Sequence, residues 1–160
     1  MDFEVRRDDL RTHRVLDILE AEAGGLDEGQ VLLHLDHAAL TANNVTYAAF
    51  GDIMGYWRFF PADEGWGRVP VWGFADVVAS RVDGIADGER VYGYFPMSTH
   101  LTVTPVRVTP ASFVDGAEHR AQLPPVYNQY VRVVERAERH DEQVHAVLRP
   151  LFTTSFLIDD

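Results

Sequence analysis

Ile85-Ala86-Asp87-Gly88-Glu89-Arg90-Val91-Tyr92-Gly93 runs an acidic-glycine turn straight into a β-branched strand, and Leu26-Asp27-Glu28-Gly29-Gln30-Val31-Leu32-Leu33 does nearly the same earlier in the chain. Asp and Gly supply the local hydrogen bonds and the positive φ of a tight turn, and the valines that follow favour extended backbone. Each copy therefore places a strand start.

From the first turn, Gln30 to Leu40 is the clearest strand. Strict alternation puts Val31, Leu33, Leu35 and His37 on one face, the expected core side, and Leu32, His34 and Asp36 on the other. Residues 3–7 and 13–20 read as extended or mixed, with Glu20-Ala21-Glu22-Ala23-Gly24-Gly25 as a break. Val69 to Val82 reads as a long strand interrupted at Trp72-Gly73-Phe74, where Gly73 permits a bulge or close backbone approach. Arg90 to Phe95, Leu101 to Val108 (with Pro105 marking an edge or bulge) and Tyr127 to Val134 follow, and Ser112 to Arg120 reads as irregular or weakly helical. Thr41 and the two asparagines after it suit a helix start before Val45-Thr46-Tyr47, and Gly51 its end. The loop from Tyr56 to Trp66 is rich in aromatics and broken by Pro61 and Gly65. Asp141 to Ile158 has helical spacing, with Pro150 inside it. Short dispersed strands with Gly/Pro turns and a helical tail predict a mainly β, α+β chain forming a partly open β-barrel.

The 160 residues suit one domain with a real core. There is no cysteine, which excludes disulfides and thiolate ligands, and all 14 basic residues are arginine, which excludes lysine Schiff bases. The net charge of −11 argues against nucleic acid or an anionic membrane as partner. No apolar run approaches the roughly 18 residues of a membrane helix, and the N-terminus lacks signal-peptide order. A cytoplasmic location is the expectation.

Four segments in order resemble the amino-terminal, GroES-like barrel of the medium-chain dehydrogenase/reductase superfamily. They are Glu28-Gly29-Gln30-Val31-Leu32-Leu33, Val69-Pro70-Val71-Trp72-Gly73-Phe74-Ala75-Asp76-Val77-Val78, Ala86-Asp87-Gly88-Glu89-Arg90-Val91-Tyr92-Gly93 and the tail Leu148–Ile158. Leu40-Thr41-Ala42-Asn43-Asn44-Val45-Thr46-Tyr47 and Trp66 to Asp76 are similar to an uncharacterised bacterial branch, described only as a domain of unknown function. The resemblance implies residues 1–140 as a substrate-side barrel and 141–160 as a helix leading toward a nucleotide-binding domain. No glycine-rich phosphate loop occurs in these 160 residues. Zinc-dependent members place a Cys where this chain has Ala39-Leu40-Thr41 and a His-Glu pair where it has Trp72-Gly73-Phe74, so neither zinc site is expected.

The implied function is that of a zinc-independent reductase, quinone- or enoyl-reductase-like. It would use NADP(H) or NAD(H) on a small-molecule carbonyl or activated alkene, as a possible homodimer in a longer protein, and this segment alone would be inactive. The alternative is a non-catalytic ligand-binding or interaction barrel. The resemblance points to Tyr56 as the proton-donating residue, with Asp52-Ile53-Met54 blurring the register and Tyr47 as runner-up; each also reads as a packing aromatic. Asn43 and Asn44 fall where relatives place polar residues beside the nicotinamide, although helix capping explains the same letters. Thr153 matches a threonine touching nicotinamide in relatives, and Trp57, in the aromatic loop, joins the binding set. Among histidines, His34 and His37 are expected on opposite strand faces, unable to share a metal. His100, in a loop near the barrel mouth, is the one to test.

Overall fold

The structure, a computed structural model, describes residues 1–17, 25–135 and 137–156. Of the stretch 13–20, expected to be extended or mixed, His13–Leu16 form β2, while residues 18–20 and most of the break after them lie outside the described residues. β1 (Asp2–Arg6) pairs antiparallel with β2 on one side and with the short β4 (Trp66–Gly67) on the other, forming a three-stranded sheet.

The main sheet has seven antiparallel strands: β3 (Val31–Ala39), β5 (Pro70–Ser80), β6 (Arg90–Pro96), β7 (His100–Val103), β8 (Pro105–Val106), β9 (Ser112–Asp115) and β10 (Gln129–Arg132). Their order is β7-β3-β5-β6-β10-β9-β8. Both opening turns lie at strand starts, with φ of +82° at Gly29 and at Gly88. The two end strands of the sheet, β7 and β8, are separated in the chain by Thr104 alone. Closure follows from that one residue. Its N–H donates to Asp115 Oδ1 at 3.0 Å and its carbonyl accepts from Gly116 N–H at 2.9 Å, bringing the sheet's ends together. The result is a mostly β, nearly closed barrel with two α-helices, the expected α+β class.

Leu101–Val108 is thus two strands at opposite ends of one sheet, divided next to Pro105, whose missing N–H suits an edge. Ser112–Arg120 is a strand followed by a 3-10 turn, Glu118–Arg120, because Phe113 is drawn wholly into the barrel. Within Val69–Val82, Pro70–Ser80 form one strand that runs through Trp72-Gly73-Phe74 without a break. Gly73 allows it, since a Cβ there would lie 2.4 Å from the His37 carbonyl oxygen.

Val31, Leu33, Val71, Ala75, Val91, Phe95, Phe113 and Tyr130 fill the barrel interior. Fully burying each such apolar side chain contributes about 1.5–3 kcal/mol. The outer face of β5 and β6 is covered separately. Trp72, Phe74, Tyr92 and Tyr94 point outward there, beneath α1 (Ala42–Ala49), the 3-10 turns Tyr56–Arg58 and Pro125–Asn128, and α2 (Arg139–Phe156). α2 starts two residues earlier than expected and continues through Pro150.

A bulge in β3 corrects the expected strand faces. Leu35 pairs with Ala75 and His37 with Phe74, so Asp36 is an extra residue and the alternation reverses after it. His37 therefore leaves the core face and stacks on Phe74 at 5.3 Å. His34 pairs with Asp76 and shares that outer face, contrary to the expectation of opposite faces, yet its ring meets His100 at 4.9 Å. No helix among the described residues is long and apolar enough to cross a membrane.

Candidate functional site

α1 begins as its sequence requires. Thr41 caps it, accepting from Asn43 N–H, while Asn44 Oδ1 accepts from Thr41 N–H at 2.6 Å in a reciprocal capping box. Asn44 is buried, and its Nδ2 donates to the Pro70 carbonyl at 2.8 Å. Both ends of the amide are therefore used in anchoring α1 to β5. Asn43 is half-buried and looks across a small cavity at Tyr47, Trp72 and the underside of α2.

Tyr47 and Tyr56, from opposite ends of this region, come together with their rings 4.7 Å apart. Around them stand Tyr94, 5.7 Å from Tyr47, and Tyr127, 6.1 Å from Tyr56 and 4.7 Å from Tyr94. Trp72 lies 4.9 Å from Tyr94, its cross-strand partner, and stacks on Tyr92 at 5.6 Å. Five phenols and an indole thus share one aromatic layer outside the barrel. Burial raises the phenols of Tyr47, Tyr92, Tyr94 and Tyr127 above the ordinary tyrosine range, so they stay protonated and able to donate.

Three polar atoms in this layer lack hydrogen bonds: the hydroxyls of Tyr92 and Tyr94 and the Trp72 Nε1, which faces the Tyr47 hydroxyl without bonding geometry. Leaving such a group unpaired costs about 1–3 kcal/mol. By contrast, the buried Tyr130 hydroxyl inside the barrel donates to the Tyr94 carbonyl at 3.1 Å and accepts from Arg120 Nη1 at 3.3 Å.

The other expected residues lie elsewhere. Trp57 is a buried wedge in a second apolar cluster, with Val5 and Val69, packed so closely on Gly51 and Gly67 that a Cβ on either would strike its ring. His100 opens β7 instead of standing in a loop, where it pairs with His34 and lines a different cavity of about 300 Å³. Thr153 falls in α2, and its side chain lies outside the described residues. The expected set therefore divides: Tyr47, Tyr56 and Asn43 share one region, and Asn44 supports it from below.

Sequence reading passed over Tyr92, Tyr94 and Trp72 as site residues. The signal was present. Trp72 and Phe74 in β5, and Tyr92 and Tyr94 in β6, each sit two apart and so share a face.

A charge hub borders the layer. Arg90, buried, donates from Nε and Nη2 to both oxygens of Glu142 at 2.8 and 2.6 Å, from Nη2 to Asp36 at 2.8 Å and from Nη1 to Asp76 at 3.0 Å. Hydrogen bonds from Arg90 hold the Glu142 carboxyl below its usual range. Burial works to raise Asp36, but bonds from Arg90 and His37 and the charges of Arg90 and Arg139 outweigh it and bring Asp36 to about 2. Asp36, His37 and Glu142 offer ligand atoms within 4.8 Å of one another. The Arg90 guanidinium already occupies the cation's place between the two carboxylates.

An outward aromatic layer on a nearly closed barrel, bordered by a buried charge hub and crossed by a terminal helix, defines a barrel whose working face lies outside its core. The chain belongs to the family described as protein of unknown function (DUF2855), whose model matches residues 38–160. No curated protein and no solved structure matches it.

Proposed function

We propose that this chain is the substrate-side barrel of a zinc-independent, nicotinamide-dependent oxidoreductase of the medium-chain dehydrogenase/reductase superfamily, acting on a carbonyl or activated alkene. Residues 141–160 lead toward the nucleotide-binding domain that presents NADP(H) or NAD(H). The observation that carries the reading is the pairing of Ala39 with Trp72 across β3 and β5. These are the two places where zinc-dependent members hold metal, and here they are apolar and aromatic, beside protonated phenols.

The cofactor supplies hydride; the chain's residues do the rest. A substrate oxygen that gains negative charge needs a hydrogen-bond donor and then a proton. Tyr56 is the assigned donor, with Tyr47 in ring contact as its neighbour and second candidate. Asn43, half-buried at the edge of the layer, suits the carboxamide of a nicotinamide ring. The aromatic walls exclude water, which strengthens each of these bonds.

The test is turnover of the native protein with NADPH and with NADH against ketone, quinone and enoyl-thioester panels. Tyr56→Phe should lower kcat by about 10²-fold or more, as expected for a lost proton donor, with little change in KM. Unchanged kcat in both Tyr56→Phe and Tyr47→Phe would remove the tyrosines from the chemistry. A non-catalytic ligand-binding barrel is the second reading, favoured by the same unpaired hydroxyls; it predicts ligand binding with no nicotinamide oxidation in any panel.

A further inference from the structure

The three-stranded sheet is tied to the barrel by the bonds from Phe3 N–H to the Met97 carbonyl and from Thr99 N–H to the Met1 carbonyl, 2.9 Å each. Beside these bonds a groove of about 440 Å³ opens, with Phe3 and Val15 on the sheet side and Leu35, Leu40, Val71 and Met97 on the barrel side. That volume falls within the range of small-molecule sites, about 300–1,000 Å³, and the mouth of a β-barrel is a common place for one. Val71 belongs to the barrel core, and Leu35 and Met97 pack against it, so here the core reaches the surface. The lips are apolar too: Val15 is 56 % exposed and Leu40 73 %. Trp72 and the tyrosines of the aromatic layer take no part in its walls.

The chemistry of the lining narrows what fits. Among the described residues around the groove, only Asp2, Ser98 and Thr99 have polar side chains, and each is already engaged. Asp2 accepts from Ser98 Oγ and pairs with Arg68 Nη2 at 2.6 Å, while Thr99 Oγ1 accepts from the Met1 amino group at 2.7 Å. A polar ligand atom carried in would lose water without gaining a side-chain partner, which weighs against a sugar or a peptide. The one ring in the lining, Phe3, is stacked on His13 at 5.5 Å, so no pair of rings waits to sandwich a planar ligand. What remains is aliphatic surface, with the unbranched, polarizable side chain of Met97 able to adapt its shape.

We propose that this groove binds the unbranched aliphatic chain of a small, soluble amphiphile, a long-chain alcohol, aldehyde or acyl compound, with the polar head left outside in water. Burial of methylene groups drives the binding. The proposal stands apart from the oxidoreductase reading, because no group assigned to that chemistry is needed to hold the chain.

The test uses the native protein with ¹³C in the methyl groups of its three methionines. Met97 lines the groove and Met54, 60 % exposed, does not, so one signal reports binding and another serves as internal control. Met97→Leu and Met54→Leu assign the two. Decanol is the probe, and butanol, hexanol and octanol complete a series. Decanol should move the Met97 signal and leave Met54 in place. Each methylene added along the series should tighten binding about fourfold. The diol of the same length, with a hydroxyl at both ends, should bind about tenfold more weakly or worse, because one hydroxyl must enter the groove. Val15→Asp sets a carboxylate on the lip and should weaken decanol by a similar factor, while Val15→Leu should bind it as the native protein does.

Equal binding of decanol and the diol, a flat chain-length series, unchanged affinity in Val15→Asp, or a Met54 signal that moves together with Met97 would overturn the proposal. So would a Met97 signal that shifts with protein concentration alone, which would make the groove an interface between copies of the chain. A signal moved by phosphatidylcholine vesicles and not by decanol would make it a membrane contact and overturn the proposal as well.

Discussion

Arg90 and Glu142 meet in a two-point, parallel ion pair, Nε to Oε1 at 2.8 Å and Nη2 to Oε2 at 2.6 Å, across 52 residues of chain. The pair joins the second acidic-glycine strand to the first turns of α2. Both side chains are about 95 % buried, so the bond lies where Coulomb attraction and desolvation are both large. Arg90→Met removes the cation that Asp36, Asp76 and Glu142 share. We expect it to destabilise the fold by about 3–5 kcal/mol, seen as a lower urea midpoint. Glu142→Gln keeps the other two carboxylates on Arg90 and should cost about 1–3 kcal/mol.

The same hub sets an acid limit. Asp36 and Glu142 titrate lower in the folded than in the unfolded chain, so the stability they contribute is complete above the ordinary carboxylate pKa of about 4. It is lost as pH falls through the folded values, which for Asp36 is about 2. Stability measured by urea titration should therefore decline between about pH 4 and pH 2. In Glu142→Gln that acid limb should become shallower, because one of the two coupled carboxyls no longer titrates.

Gly73→Ala tests the close approach of β5 to β3. A Cβ at residue 73 would meet the His37 carbonyl at 2.4 Å and Ala38 at 2.9 Å, and backbone cannot swing aside as a flexible side chain does. The expected loss is about 3 kcal/mol, the upper end for overpacking. Gly88→Ala, where nothing lies within 4 Å, should be penalised only for its φ of +82°, by about 1–2 kcal/mol. Thermal melts of the two variants side by side separate steric from dihedral cost.

Thr41→Ala removes the cap of α1 and should cost about 1 kcal/mol. Asn44→Ala should cost more, about 2–3 kcal/mol, because it also strands the Pro70 carbonyl in the interior. If both lose the same amount, the bond to Pro70 contributes nothing to stability. Neither variant removes a group from the aromatic layer.

Much of this architecture was legible in residue order. The Asp-Gly turns before Val31 and Arg90 work through local backbone geometry, which a short peptide already encodes, and both occur where expected. The cap of α1 was legible for the same reason. Misreadings arose where partners distant in sequence decided. Ser112–Asp115 became a strand because β10 and β8 pair with it on either side. His37 turned outward because Asp36 enters the β3–β5 pairing as an extra residue, and nothing local to Leu35-Asp36-His37 announces that count.

By itself the sequence determined the class of the fold, its turns, the cap of its first helix and the absence of cysteine chemistry, all properties of composition or of a few adjacent residues. Only the tertiary structure decided which side chains share the working face. Tyr47, Tyr56, Trp72, Tyr94 and Tyr127 come from five separate segments, and a site of that kind exists only once the sheet has brought its distant strands together. The unbonded hydroxyls of Tyr92 and Tyr94 belong to the same category. Whether a polar group finds a partner depends on every element packed over it, and for Tyr92 that includes a helix about fifty residues further along the chain.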